Sequence, residues 1–104
     1  MNDCELFVTA DDRTGALEIG GVVANSEFSV PVGPHAESEV CCVIDVATRH
    51  LTPEGAAETI RRVHAQPARL RCHKMDSGLR GNWPCEVAAL NGMGFGVAVI
   101  PSDP

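Results

Sequence analysis

Tyrosine is missing from this chain, and aromatic side chains of any kind are scarce: three Phe and one Trp in 104 residues. Val, Ile, Leu and Ala must therefore fill whatever core it has. Basic residues are also short, eight Lys and Arg against fourteen Asp and Glu, for a net charge of −6. That balance excludes nucleic acid as the main partner, because a phosphate backbone needs a basic face. An anionic ligand has to be held by a local cluster of cations instead. No apolar run approaches the ~20 residues of a membrane helix, and no basic segment followed by a long apolar stretch suggests a signal peptide. The five Cys include no Cys-x-x-Cys pair, and His and Cys lack the spacing of zinc ligands. These absences predict no metal site of that kind, no membrane partner, free thiols and a cytoplasmic location.

What is present is an alternation of two patterns. Leu6 to Ala10 and Val40 to Ile44 are continuous apolar runs closed by Asp11 and Asp45, the mark of strands buried on both faces. Adjacent Cys41 and Cys42 then point to opposite faces. Phe28 to Val32 alternates and carries Pro31, which suits an edge strand. Leu70 to Lys74 and Val97 to Ile100 read as further strands. Between them, Ala16, Ile19, Gly20 and Val23 recur at helical spacing from Thr14 to about Asn25, with Thr14 as a cap. Thr52 and Pro53 open a second helix to about His64, with Ala56, Ile60 and Val63 as its stripe. Pro84 to Leu90 suits a short third helix stopped by Asn91-Gly92. The expected fold is α/β: one domain over residues 1–104, a three-layer sandwich with a mostly parallel sheet of about five strands and about three helices. The step from Val32 to Val40 has no room for a crossover helix and stands out as the exception to parallel order.

In such sheets ligands sit beyond the carboxyl ends of the strands, and there the chemistry of this chain collects. Ala10-Asp11-Asp12-Arg13-Thr14-Gly15 follows the first strand. Asp11 and Asp12 suit a ligand hydroxyl or a divalent cation; equally, Asp12 suits a helix cap. Asp45 and Arg49 follow the next buried strand, Arg49 fit for two-point contact with a carboxylate or for a plain surface ion pair. The densest segment is Lys74-Met75-Asp76-Ser77-Gly78-Leu79-Arg80-Gly81-Asn82. There Lys74 and Arg80 suit one anion, Asp76, Ser77 and Asn82 suit hydroxyls, and Gly78 and Gly81 let backbone N–H groups approach a ligand. The histidines read as structural, with His64 a favoured cation at a helix end and His73 close to the site.

These motifs, in this order, resemble the N-terminal, substrate-binding domain of the four-carbon acid sugar kinase family. That family carries a strand followed by Ala-Asp-Asp-Leu-Thr-Gly-Ala, an Asp-Thr-x-Ser-Arg-like segment, and Lys-x-Asp-Ser-Thr-Leu-Arg-Gly-Asn before a helix containing Glu. Here the counterparts are Ala10 to Ala16, Asp45 to Arg49, and Lys74 to Asn82 with Glu86 following. The chain departs from the pattern at Arg13, Val46-Ala47 and Gly78. The resemblance implies a small sugar acid (threonate, erythronate or a 2-oxo-tetronate) as ligand, Asp12 or Asp11 as the group that orients or deprotonates its attacking hydroxyl, and Arg49, Lys74, Asp76, Ser77, Arg80 and Asn82 as its binding residues. It implies ATP and Mg2+ as cofactors of the full-length kinase, bound by a C-terminal domain that these 104 residues do not contain.

Two other readings of the same residues stand beside it. One is a receiver-like phosphoacceptor module with Asp45 as the modified residue. The other is an inactive remnant whose open sheet edge drives self-association into homo-oligomers.

Overall fold

The computed structural model describes residues 4–24, 30–34, 40–76 and 78–100. Seven elements follow in order: β1 (Cys4–Ala10), α1 (Arg13–Val23), β2 (Val32–Gly33), β3 (Cys41–Asp45), α2 (Pro53–Val63), β4 (Ala68–Lys74) and α3 (Trp83–Gly92). The strands form a four-stranded sheet in the order β2-β3-β1-β4, and each pairing in it is parallel. The α/β sandwich read from the sequence is therefore the fold.

Strand alternation divides the core into two layers. Phe7, Cys42 and Ile44 point to one face and pack with Ile60 of α2 and Ala89 and Leu90 of α3. Val8, Ala10, Cys41 and Val43 point to the other and pack with Ala16 of α1. Cys41 and Cys42 thus lie on opposite faces, as the period of two requires, and both are buried. The two continuous apolar runs, Leu6 to Ala10 and Val40 to Ile44, became strands covered on both sides because helices flank both faces of a parallel sheet. Gly20 marks how closely α1 approaches: a Cβ there would lie 2.6 Å from a methyl of Val32.

The structure corrects four expectations. Residues 97–100 form no strand, so the described sheet has four strands rather than five. An apolar run becomes a strand only where an edge supplies backbone partners, and Val97, Val99 and Ile100 lie exposed instead. β2 runs parallel to β3, with Val32 opposite Val43. It is only two residues long, so the chain has to travel back on the order of 10 Å, well within the about 23 Å that any seven extended residues can span. The cap of α1 is Asp12, whose Oδ1 accepts from the Gly15 N–H at 2.9 Å; Thr14 lies inside the first turn. Finally, α3 runs through Asn91-Gly92, and the left-handed glycine that follows it is Gly94 at φ +98°. By contrast Thr52 caps α2 with Pro53 in its first turn, as its sequence predicts.

Candidate functional site

The register of the sheet decides where the polar turns meet. Ala10, the last residue of β1, pairs with Asp45 at the end of β3 and with Lys74 at the end of β4. Three strands therefore stop in one row, and the three turns leave from adjacent points. Backbone bonds lace them together: the Asp11 N–H to the Lys74 carbonyl at 3.2 Å, the Val46 N–H to the Ala10 carbonyl at 2.9 Å, and the Arg49 N–H to the Asp11 carbonyl at 3.4 Å.

Arg49 stands at the centre. Its guanidinium lies 3.1 Å from Asp11, 3.2 Å from Asp12 and 3.4 Å from Asp76, two carboxylates from the first turn and one from the third. Asp76 is gripped again by Arg80, whose Nε and Nη2 each donate at 2.9 Å, and whose backbone N–H donates at 3.1 Å. These bonds hold the Asp76 carboxyl well below the usual carboxylate range, with the Arg80 guanidinium as the main cause. The hydrogen bond to Asp11, helped by the charges of Asp12 and Asp76, raises Arg49 further above its already high value. Three carboxylates and two guanidiniums thus form one continuous ionic rim. The side chain of Asp11 is 1% exposed and that of Asp12 28%, so Asp11 supports the rim from beneath and Asp12 faces outward. Arg80 is 71% exposed and presents the outermost cation.

Backbone conformation marks the same place. Ala47 and Leu79, neither of them glycine, take left-handed conformations at φ +53° and +61°. Such residues persist where surrounding structure holds them, and here they sit in two of the three rim turns. Gly81, at φ +90°, packs so tightly that a Cβ would lie 3.2 Å from Arg49 Cγ and 3.3 Å from Asp11 Oδ2.

Of the residues named from the sequence, Asp11, Asp12, Arg49, Asp76 and Arg80 converge on this rim. Lys74 stands beside it, its Nζ donating to the Met75 carbonyl at 2.7 Å. Asn82 is placed differently from expectation. Its amide donates to the carbonyls of Thr48 at 3.0 Å and Leu51 at 2.7 Å, so it ties the second turn to the third. Ser77 lies outside the described residues. Asp45 does not meet Arg49 in a surface pair; it accepts from the Ala47 N–H at 3.0 Å. Asp11 and Asp12 face Arg49, and among the described residues no group of three or more His, Cys, Asp or Glu side chains is placed to hold a metal ion.

Residue-by-residue reading missed a buried network behind the rim: His64, Thr9, His73, Glu86 and Thr48. Its signal was Thr9, a polar residue inside an apolar strand. His64 is no cation at a helix end. Burial, then the charges of Arg71 and His73, push it from 6.5 down to about 4. The unfolded chain takes up that proton near 6.5, while the folded chain resists it until about 4. The stability due to a neutral His64 is therefore complete above about 6.5 and falls by up to about 3 kcal/mol as pH drops toward 4. Denaturant unfolding at pH 7.5 and pH 4.5 should show this loss, and His64→Gln should flatten it; an equal slope in the variant would assign the loss to other groups.

Comparison with known proteins places this geometry. Residues 6–104 match the sugar-binding N-terminal domain family. The chain belongs to that family. This sugar-binding domain is also 34% identical, over 108 residues, to a D-threonate kinase of Cupriavidus necator, an alignment covering 94% of the chain and 26% of that kinase. It spans about a quarter of the length of that relative. No solved structure matches. The resemblance to the N-terminal domain of four-carbon acid sugar kinases, drawn from the three motifs, is borne out.

Proposed function

We propose that this domain binds a four-carbon sugar acid of the threonate, erythronate or 2-oxo-tetronate type, as the substrate-binding part of an ATP-dependent kinase. The observation that carries the reading is the ionic rim, in which Arg49 joins the carboxylates of two turns while Arg80 faces solvent. Carboxylates are hydroxyl acceptors, so Asp12 and Asp76 suit the hydroxyl groups of a polyol chain. The ligand's own carboxylate needs a cation, and the outer face of Arg80, with Lys74 beside the rim, supplies it. Arg49 is committed to three aspartates and serves as the brace between them. Asp12, the outward carboxylate, orients the attacking hydroxyl and takes its proton as the new O–P bond forms and the bond to the leaving ADP breaks. ATP with Mg2+, bound by the remainder of such a kinase, would supply the phosphoryl group, while this domain's residues hold and orient the acid and accept its hydroxyl proton.

Calorimetry with threonate and with threitol, the same chain without the acid group, tests the assignment. A charge-assisted contact predicts a preference for threonate of about tenfold to a hundredfold. In Arg80→Gln that preference should fall to within about threefold, with threitol affinity nearly unchanged. A variant that keeps the full preference would remove Arg80 from the carboxylate site.

A further inference from the structure

The buried network behind the rim has a direction. Arg71 can only donate, so its Nη1 makes His64 Nδ1, 3.4 Å away, an acceptor. Neutral His64 then carries its proton on Nε2 and donates to Thr9 Oγ1 at 2.8 Å. The Thr9 hydroxyl, having accepted, donates to His73 Nδ1, also at 2.8 Å. His73 is therefore protonated on Nε2, which donates to Glu86 Oε1 at 3.2 Å. The other oxygen of Glu86 accepts from the Thr48 hydroxyl. Thr9, Thr48, His64 and Glu86 are all at most 1% exposed.

We propose that Glu86 and Thr48, at the end of this one-way relay, position the ligand-binding rim. Each rim turn enters the relay just before its charged side chain: Thr9 two residues before Asp11, Thr48 one before Arg49, and His73 one before Lys74. Glu86, in the first turn of α3, takes Thr48 and His73 directly and reaches Thr9 through His73. Thr48 is held twice, since Asn82 also bonds its carbonyl. Only an acceptor-only group receives both donors as they stand. A glutamine has to turn its NH2 toward Thr48 or toward His73, reversing that hydroxyl or the relay. The arrangement fixes where Arg49 emerges, although none of these side chains belongs to the ionic rim itself. A displacement of about 1 Å at such a site is enough to weaken binding by one to two orders of magnitude.

The test uses Thr48→Val, which keeps the shape and removes the hydroxyl proton, and Thr48→Ser, which restores it. The first readout needs no ligand: solvent exchange of the Arg49 Nε–H, followed by NMR. The second is threonate affinity by calorimetry, which rests on the function proposed above. In Thr48→Val, exchange should quicken and threonate Kd rise, each by about tenfold, and Thr48→Ser should return both to within about twofold of the parent. Should the Val variant fail to fold, Glu86→Gln is read in the same way, with faster Arg49 exchange expected. A merely structural role lowers the melting temperature and leaves Arg49 exchange in the folded protein unchanged, and that result overturns the proposal. If the parent protein does not bind threonate, the ligand reading fails, and Arg49 exchange alone still decides the role of Thr48 and Glu86.

Discussion

Arg49→Ala is expected to destabilise this domain by about 3 kcal/mol and to weaken sugar-acid binding on the order of a hundredfold. The two losses share one cause. Asp11 is almost wholly buried and has the Arg49 guanidinium as its charge partner, at 3.1 Å. Removing one side of such a pair leaves a carboxylate that neither water nor a cation compensates. The same deletion sets Asp11, Asp12 and Asp76 against one another and raises the rim's excess of carboxylates over guanidiniums from one to two, which repels the anionic end of the ligand. Arg49→Lys should rescue little of either quantity, because one ammonium cannot reach three carboxylates in the planar fork that Arg49 uses. Urea unfolding and calorimetry on the same preparations read the two effects. A variant that loses binding yet keeps its stability would show that Arg49 contacts the ligand rather than bracing the rim.

Gly81→Val is expected to destabilise by about 2–4 kcal/mol and to reduce binding by at least about tenfold. At φ +90° a β-branched residue is strained before any neighbour is considered. Its Cβ would then lie 3.2 Å from Arg49 Cγ, 3.3 Å from Asp11 Oδ2 and 3.5 Å from Arg49 Cα. The last atom is backbone and cannot rotate away, so the second turn has to shift. Gly92→Ala serves as the control, because a Cβ there meets nothing within 4 Å; it should change stability by less than about 1 kcal/mol. Equal effects at the two glycines would argue against close packing of the third turn on Arg49.

The turns of the site were legible because each follows an apolar run that had to be a buried parallel strand, and the carboxyl ends of such strands lie on one side of a sheet. Their residue types gave the chemistry. What could not be read locally was who pairs with whom. That Arg49, and not Lys74, unites the first and third turns depends on the register that sets Ala10 beside both Asp45 and Lys74. Asn82 looked like a ligand for hydroxyl groups because an amide in a polar turn is chemically suited to that. Only the fold shows its NH2 spent on the carbonyls of Thr48 and Leu51. His64 was misread for the same reason: at a helix end a cation is favoured, but this end is buried against Thr9. The run 97–100 had the composition of a strand without an edge to join. The parallel course of β2 escaped notice because the rule on crossover length presumes strands of ordinary length.

The central claim is that three turns at one edge of the sheet form a single ligand-binding rim. An amide NMR titration of this chain with threonate tests it most directly. Saturable shifts are expected for Asp11, Asp12, Arg49, Asp76 and Arg80, following one common binding curve. Shifts that instead cluster at Pro53, Ala57 and Ala89, in the shallow groove between α2 and α3, or no saturable shifts at all, would contradict it.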